Sequence, residues 1–414
     1  MPDLVIENVE VVNVANGSTM PGQSILIADG RIEAILSGIR SSPVPTIDGT
    51  GLWASPGLID AHVHFFFDGG DDPFRSFLSM DRQAKMQVAV RNADVAIRAG
   101  ITTMRDLGAP ADLWQQFQEA VDQRSVSGPR IISSGAPLTR PQGHCYFFGG
   151  EVSTVKDVRS LIERQRASGA LSVKLMASGG GMTPGTKPHE ADLPLELMRV
   201  AREVAHANGM TISAHCHATE SIERAIDAQI DSIEHVGFVE PPGRWRYDEQ
   251  IAIRIKDAGI AVCPTAANGI RAAKLFRDQR RPHNPEDVAA VERLEGRRWM
   301  TGEFHRLGLK IIGGSDCGAD VTPFNSLIDE VETFVSVGLS NEEALRAVTC
   351  ESAALLRLER VGELKIGYDA DIILLRANPL ADVRNLRDLV IVIRAGRIAF
   401  DARSSPTLSP ALHR

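Results

Sequence analysis

The sequence is poor in several features that would point to particular classes of protein. Its five cysteines are scattered among 414 residues and never form a Cys-x-x-Cys pair, which argues against a disulfide framework and against a zinc ribbon. No apolar run approaches the roughly 20 residues needed to span a bilayer. The N-terminus lacks a basic segment followed by an apolar one, so we expect no signal peptide.

Basic charge is also in short supply. The net charge is −8, which gives no reason to expect nucleic acid or an anionic membrane as a partner. The scattered cysteines and the lack of a signal-peptide pattern or a membrane-spanning run predict a cytoplasmic protein in a reducing compartment. The partner that remains is a small-molecule substrate.

Length and composition predict a globular protein with more than one structural unit. The chain is 43% hydrophobic and 24% charged, which is ordinary for a globular protein, and it is longer than a barrel of ~250 residues. Both chain ends consist of strand and turn patterns, with Asp29-Gly30 and Ala395-Gly396 between apolar runs, a typical hairpin signal. We predict that residues 1–54 and 360–414 form one small β-sandwich domain around a central domain of residues 55–359.

Strand and helix patterns alternate through the central segment. Predicted helices, such as residues 81–99 and 154–168, end in a glycine just past the last turn, and a short apolar run follows each glycine, as expected for helix termini. Five apolar runs follow such glycines, and three further runs bring the number of strands to eight. Their alternation with helices predicts an α/β fold, a (β/α)₈ TIM barrel. The competing architecture is a doubly wound open sheet, but no Gly-x-Gly-x-x-Gly opens a helix after the first strand.

A pair of histidines closes the first of these strands. Residues 57–64 read Gly-Leu-Ile-Asp-Ala-His-Val-His, and side chains two residues apart on a strand point to the same face. His62 and His64 could therefore hold one metal ion. A bare His-x-His can equally be a chance feature of a core strand, so the later strands decide between the two interpretations.

Four further residues of the ligand type stand at the ends of later strands. In a barrel of this kind, catalytic residues lie at the carboxyl ends of strands, and those positions hold Lys174, His215, His235 and Asp316. Imidazole nitrogens and carboxylate oxygens suit zinc and similar divalent ions. One histidine alone would more often be a hydrogen-bonded structural residue, but their joint placement argues against chance. The remaining histidines outside this region are expected to be non-functional: His189, His206, His283, His305 and His413.

Lys174 is the unusual member of this set, because its neighbours are apolar and an unpaired ammonium group there would be costly. A protonated lysine cannot coordinate a metal ion. Its pKa could be lowered by burial, or it could pair with an acid. The third alternative is reaction with CO₂ to give a carbamate, an anionic ligand that can bridge two metal ions.

These motifs resemble those of the amidohydrolase superfamily over nearly the whole chain. Residues 57–64 resemble its first-strand signature, and the other four residues fall where its binuclear members place a carbamylated lysine, two histidines and an aspartate. The segments around Lys174, His215 and His235 are most similar to the imidazolonepropionase-like group, which contains Xaa-Pro dipeptidases (prolidases), and to ochratoxin-hydrolysing amidohydrolases. Imidazolonepropionase itself and the deaminases use one metal ion and no carbamate, so Lys174 argues against them.

The resemblance implies a mechanism and a set of ligands. Two divalent ions, expected to be zinc, would be held by His62, His64, Asp316 and carbamylated Lys174 on one side and by the same carbamate with His215 and His235 on the other. A metal-bridged hydroxide would be the nucleophile, because metal binding lowers the pKa of water from ~15.7 towards ~7, and Asp316 would act as general base and then general acid.

The resemblance also implies a substrate class. We expect a dipeptide or an N-acyl amino acid with an apolar or prolyl C-terminal part, cleaved at its amide C–N bond. The alternative is a non-peptide amide, carbamate, urea or lactone, including ochratoxin-like amides, at the same binuclear site. The habits of the family further suggest a homo-oligomer.

Three residues near the predicted ligands are candidates for contact with the substrate. His144 would hydrogen-bond the carbonyl oxygen or the oxyanion, unless it is an ordinary loop histidine. His217, two residues beyond His215, would bind a substrate carboxylate, and Tyr146 is a weaker candidate for the same pocket. Phenylalanines at residues 65–67 and 147–148 are concentrated in two loops, although aromatic residues form only 5% of the chain. They line an apolar pocket, pack the loops or form a contact between subunits.

Overall fold

The structure, a computed structural model, describes residues 2–38, 44–278 and 285–404. Its strands are β1 (Leu4–Asn13), β2 (Ser18–Ala28), β3 (Arg31–Ser37), β4 (Thr46–Asp48), β5 (Trp53–Pro56), β6 (Leu58–Val63), β7 (Ile101–Asp106), β8 (Arg130–Ser133), β9 (Ser172–Met176), β10 (Thr211–His215), β11 (Ser232–Glu234), β12 (Val239–Glu240), β13 (Arg244–Trp245), β14 (Ala261–Cys263), β15 (Lys310–Ile311), β16 (Ile372–Leu375), β17 (Leu389–Arg394) and β18 (Arg397–Asp401).

The α-helices are α1 (Pro73–Ser79), α2 (Arg82–Arg98), α3 (Trp114–Asp122), α4 (Val155–Ala167), α5 (Leu195–Ala207), α6 (Thr219–Asp227), α7 (Glu249–Asp257), α8 (Ala266–Asp278), α9 (Pro285–Leu307), α10 (Leu327–Ser336), α11 (Asn341–Ala347) and α12 (Cys350–Leu355). Two short 3₁₀-helices cover Tyr146–Phe148 and Val383–Arg387. His283 and His413, and the end of the C-terminal tail, lie outside the described residues.

Both ends of the chain enter one hydrogen-bonded sheet. Its strand order is β18-β17-β16-β5-β1-β2-β3, and β4 pairs with β1. The predicted turn at Asp29-Gly30 joins β2 to β3, and both of its residues have a positive φ, as a tight hairpin turn requires. Buried side chains from both chain ends, including Ile6, Ile25 and Leu374, share one core cluster. The stacking of this sheet into two layers, and the domain boundaries given above, stay predictions.

The central strands are parallel to their neighbours and alternate with helices. They form a three-stranded sheet, β6-β7-β8, and a five-stranded sheet, β15-β14-β11-β10-β9. Backbone hydrogen bonds join the two sheets at both edges. Leu138 N donates to Lys174 O (2.8 Å) beyond β8, and Ala61 N of β6 donates to Gly313 O (2.9 Å) beyond β15. The carboxyl ends of these strands therefore meet at one end of the α/β unit.

Local sequence signals explain where the helices begin and end. Thr154 caps α4: its Oγ1 accepts from Asp157 N (3.2 Å), while Thr154 N donates to the Asp157 carboxylate (2.9 Å). This capping box satisfies two otherwise unpaired backbone donors. The predicted glycine after the helix is confirmed by positive φ angles, which are 69° at Gly209 after α5 and 75° at Gly308 after α9, a conformation that glycine adopts without steric cost.

The cysteines are free thiols, as expected from their spacing. Four are buried, and burial raises the pKa of Cys145 and Cys216 to about 12, so these thiols are protonated and unreactive at neutral pH. Within the described ranges, none of the helices has both the length and the apolar character required to cross a membrane.

Arg130 joins the central unit to the chain-end sheet. It lies at the start of β8, and its guanidinium donates to Asp369 and to Asp371, each at 2.9 Å. Asp371 directly precedes β16, its side chain is 3% exposed, and its second oxygen accepts from Ala395 N (2.7 Å). The Arg130 side chain thus links β8 of the central unit to the segment that leads into β16 of the chain-end sheet.

We expect Arg130→Met to lower the free energy of unfolding by about 1–3 kcal/mol, because Asp371 would stay buried without its charged partner. Chemical denaturation followed by circular dichroism measures the change. The control is Arg159→Met, which removes an exposed pair with Glu203 and should change stability by less than about 1 kcal/mol. Equal losses in the two variants would contradict a special role for Arg130.

Candidate active site

A cavity of about 230 Å³ lies where the parallel strands end. Its lining includes all six predicted metal ligands, together with His144 and His217. The six ligands come from five separate places in the chain: His62, His64, Lys174, His215, His235 and Asp316. All six are less than 10% exposed, so the fold removes them from bulk water and brings them together.

The first cluster combines β6 with the segment after β15. His62 and His64 each place Nε2 3.4 Å from Asp316 Oδ1. A backbone hydrogen bond from Asp316 N to His62 O (2.8 Å) fixes the two segments relative to each other. Burial alone would raise the pKa of Asp316, but His62, His64 and the positive charge of Arg297 hold it below its usual value. The lowered pKa favours the ionised carboxylate, which is the form that binds a cation.

The second cluster is made of histidines from β10 and the residue after β11. The ring centroids of His215 and His235 are 4.8 Å apart, and His235 Nδ1 lies 2.8 Å from Thr265 Oγ1, which fixes that ring. His217 stacks on His235 at 4.8 Å. One nitrogen from each of these three histidines lies within 4.8 Å of the other two, so His217, predicted to contact substrate, also stands where it could contact a metal ion.

The two clusters line the same cavity, and His235 lies close to members of both. Ligand atoms of His62, His235 and Asp316 also lie within 4.8 Å of one another. His235 and Asp316 both have positive φ, 68° and 58°, which is uncommon for residues with a Cβ and costs of order 1–3 kcal/mol each. The backbone is thus strained at two predicted ligands, as is frequent at functional sites.

Lys174 lines the same cavity as the two clusters. Its side chain is buried, and Nζ has no hydrogen-bond partner among the described residues. Burial lowers its pKa, although Glu234 and Asp316 act in the opposite direction. An unpaired buried amine is costly, and a neutral amine is the form that combines with CO₂. The buried nitrogen and the flanking imidazoles and carboxylate fit a centre for divalent metal ions.

The charged pair beside His62 was not predicted from the sequence pattern. Glu234 Oε2 lies 2.9 Å from His62 Nδ1, and Glu234 Oε1 accepts from Arg105 Nη2 (2.9 Å). Arg105 also donates through Nε to Ala61 O (2.7 Å), and both charged side chains are fully buried. A metal-binding histidine commonly has a carboxylate on its other nitrogen, which fixes the ring and its tautomer. The sequence feature that could have indicated this role is the charged Glu234 directly before His235 at the end of a strand.

The other predicted pocket residues are placed differently. His144 lines the cavity, with its ring centroid 4.8 Å from that of His215, and a Cβ on Gly180 would lie 2.4 Å from the His144 ring. Tyr146 is 36% exposed and is not part of the described cavity lining. Its predicted contact with substrate therefore receives no support from its position.

The phenylalanine clusters resolve in favour of loop packing. Phe65, Phe66 and Phe67 are completely buried, and Phe67 packs against Phe148 with ring centroids 5.3 Å apart. None of these rings belongs to the described lining of the cavity. Phe67 also packs against His64, with ring centroids 5.7 Å apart, so this cluster contacts one of the two histidines.

Comparison with known proteins identifies relatives of the whole chain. Residues 53–399 match the model of the amidohydrolase family. An ochratoxinase of Aspergillus niger is 28% identical over 370 residues, which cover 80% of this chain and 71% of that protein. A prolidase solved with N-methylphosphonate-L-proline is 25% identical with a TM-score of 0.82, covering 95% of this chain and 98% of its own.

A further structure, of a Xaa-Pro dipeptidase with methionine bound in its active site, has a TM-score of 0.85 at 24% identity and covers 96% of this chain and 99% of its own. At that identity the likeness concerns the fold. Structural neighbours of this kind imply a TIM barrel of mixed α/β content, in agreement with the eight parallel strands described above.

We expect Glu234→Gln to weaken divalent-metal binding about 10–100-fold, because the neutral amide no longer holds His62 in the ligand orientation. Metal content after equilibration in buffers of graded free zinc measures the affinity, and near-ultraviolet circular dichroism reports whether the core stays folded. The matched control is Glu223→Gln, which changes an exposed partner of Arg254. Unchanged affinity in Glu234→Gln would show that His62 does not depend on this carboxylate.

Proposed function

This chain belongs to the amidohydrolase family and is an enzyme, and from that premise we propose that it hydrolyses the amide C–N bond of a dipeptide or an N-acyl amino acid with an apolar or prolyl C-terminal part. The observation that carries the proposal is that one cavity is lined by the predicted ligands His62, His64, His215, His235 and Asp316, together with Lys174, whose buried nitrogen is unpaired among the described residues. The prolidase likeness at 25% identity supports the choice of a peptide-like substrate.

The ligands divide into two groups in this proposal, with Lys174 as a carbamate shared between them. His62, His64 and Asp316 form one group, and His215 and His235 form the other. Two bound divalent ions, expected to be zinc with these ligands, would polarise the scissile carbonyl and lower the pKa of a water molecule.

Asp316 moves the proton in this mechanism. Its Oδ1 faces the Nε2 atoms of His62 and His64, and its Oδ2 would accept a proton from the attacking water. The same atom would return that proton to the leaving nitrogen, so one carboxylate acts first as general base and then as general acid. The amine then leaves as a neutral group, which lowers the barrier to C–N cleavage.

His144 would stabilise the negative charge that develops on the carbonyl oxygen. Its side chain is buried in the cavity wall, and its Nδ1 has no hydrogen-bond partner in the described part of the chain. A preorganised donor at this point is worth several kcal/mol in acyl-transfer reactions. His217, also with an unpartnered Nδ1, is assigned to the carboxylate of the substrate.

A second substrate class is a non-peptide amide of the ochratoxin type. The observation that favours it is the ochratoxinase relative at 28% identity over most of both chains. Carbamates, ureas and lactones would use the same ligands. Both substrate classes would be hydrolysed at the same proposed metal centre. They differ in the substrate groups that the remaining cavity residues must bind.

We expect Lys174→Ala to reduce kcat at least about 100-fold, because losing a ligand shared by two ions removes several kcal/mol of charge stabilisation. Metal content should fall in parallel, and added short-chain carboxylic acid should restore part of the activity by replacing the carbamate. The control is Lys310→Ala, an exposed lysine of β15. Undiminished turnover in Lys174→Ala would contradict the bridging role.

A substrate panel separates the two classes. Metal-loaded enzyme should release free amine from Xaa-Pro dipeptides or from N-acyl amino acids with apolar C-terminal residues, and should act more slowly on ureas, carbamates and lactones. Chromatographic detection of the released amine gives kcat/KM for each compound. Turnover confined to the non-peptide compounds would overturn the peptide proposal and leave the amidohydrolase chemistry intact.

A further inference from the structure

Helix α9 presents two arginines to the same cavity. Arg293 and Arg297 are four residues apart, so they lie on one face of the helix about one turn from each other. Both belong to the cavity lining, on which His217 and Asp316 also lie. Neither was expected from the strand-end pattern, because α9 contributes from the side of the cavity and not from the end of a strand.

Arg293 has no partner that would explain its position. It makes no hydrogen bond or ion pair with the described residues, and its Nε is buried. Burial lowers its pKa to about 10, and the neighbouring charge of Arg297 lowers it in the same direction. The residue as a whole is only partly buried, and its Nε is the atom that is shielded from water without an acceptor. An anion in the cavity would therefore supply a partner that the described residues do not.

Arg297 is only partly satisfied. Its side chain is 4% exposed. Its Nη1 donates to Thr265 Oγ1 (3.1 Å) and to Asn268 Oδ1 (3.4 Å), both neutral groups, while its Nε lacks a partner within the described chain. The carboxylates of Asp316 and Asp320 line the same cavity, but neither forms an ion pair with either arginine in the described structure.

We propose that Arg293 and Arg297 form an anion subsite that binds the carboxylate of the substrate, with His217 beside it. The two oxygens of a carboxylate can accept N–H donors from two guanidinium groups, and such charge-assisted bonds are strong and directional. The inference rests on the proposed amide hydrolysis and narrows it: the substrate is an anionic amide of the amino-acid type. A neutral urea or lactone would leave both arginines unpaired.

The test compares matched substrates with and without a carboxylate. N-acetyl amino acids and the corresponding N-acetyl amino alcohols present the same amide and side chain, and only the acids carry the charge. In Arg293→Gln, kcat/KM for the acids should fall about 10–100-fold, mainly through KM, since hydrogen bonds to charged groups contribute about 1.5–3 kcal/mol. The values for the alcohols should stay within about twofold, because they make no ion pair with Arg293.

Arg293 is the cleaner of the two positions, because Arg297 also supports Thr265 and through it His235. Arg293→Lys should retain part of the preference for acids, since charge remains but the planar fork is lost. The matched control is Arg298→Gln, an exposed arginine of the same helix that donates to Ser336, and it should preserve the preference for acids. Metal content is measured for every variant, so that loss of the centre is recognised.

A binding measurement keeps this inference separate from the proposed function. Calorimetry with L-phenylalanine and L-phenylalaninol reports carboxylate preference without turnover. Preferential binding of the acid in the wild type and its loss in Arg293→Gln would support the subsite even if no amide were hydrolysed. Hydrolysis of acids and alcohols at equal kcat/KM, or equal binding of L-phenylalanine and L-phenylalaninol, would overturn the subsite while leaving amide hydrolysis standing.

Discussion

The buried ion pair between Arg105 and Glu234 is the interaction on which the rest of the site depends. Arg105 comes from β7, donates to the backbone of β6 at Ala61, and meets Glu234 at the end of β11. Glu234 then reaches His62 with its second oxygen. Both charged side chains are fully buried. Replacing one of them by a neutral residue would leave the other buried and unpaired, which would lower the free energy of unfolding by about 3–5 kcal/mol. The pair therefore links three strands and places a carboxylate oxygen 2.9 Å from Nδ1 of a predicted metal ligand.

Close approach between backbone segments is the second constraint, and glycine makes it possible. A Cβ at Gly314 would lie 2.4 Å from Cys263 Sγ and 2.7 Å from His62 Cβ, distances that no side chain can adopt. The segment after β15 can therefore pass directly against β6 and β14 and deliver Asp316 to the two histidines. Because Gly314 has no side chain, this segment can lie close enough to β6 for Asp316 to approach His62 and His64.

The balance of charge in the cavity separates two tasks. In the proposed function, the histidines, Asp316 and Lys174 would hold the metal ions, which would account for their unpaired atoms. Arg293 and Arg297 remain after that assignment, and metal ions cannot satisfy them because cations repel each other. An anionic group on the substrate answers this second demand. In our proposal the two arginines select for an anionic substrate. The metal ligands do not make that selection, because hydrolases of many substrates share them.

Sequence by itself determined the features that depend on neighbouring residues: strand and helix alternation, the glycines that end α5 and α9, the Asp29-Gly30 turn, and the candidate ligands His62 and His64 on one strand face. It also predicted Lys174, His215, His235 and Asp316 at strand ends, although the structure places Lys174 within β9 and Asp316 five residues after β15. Only the tertiary structure revealed the support of His62 by Glu234 and Arg105, the packing of Phe67 in a loop core, the exposure of Tyr146, and the arginines of α9 in the cavity wall. These contacts join residues far apart in the chain, and no local period or spacing encodes which side chains will meet across a folded interior.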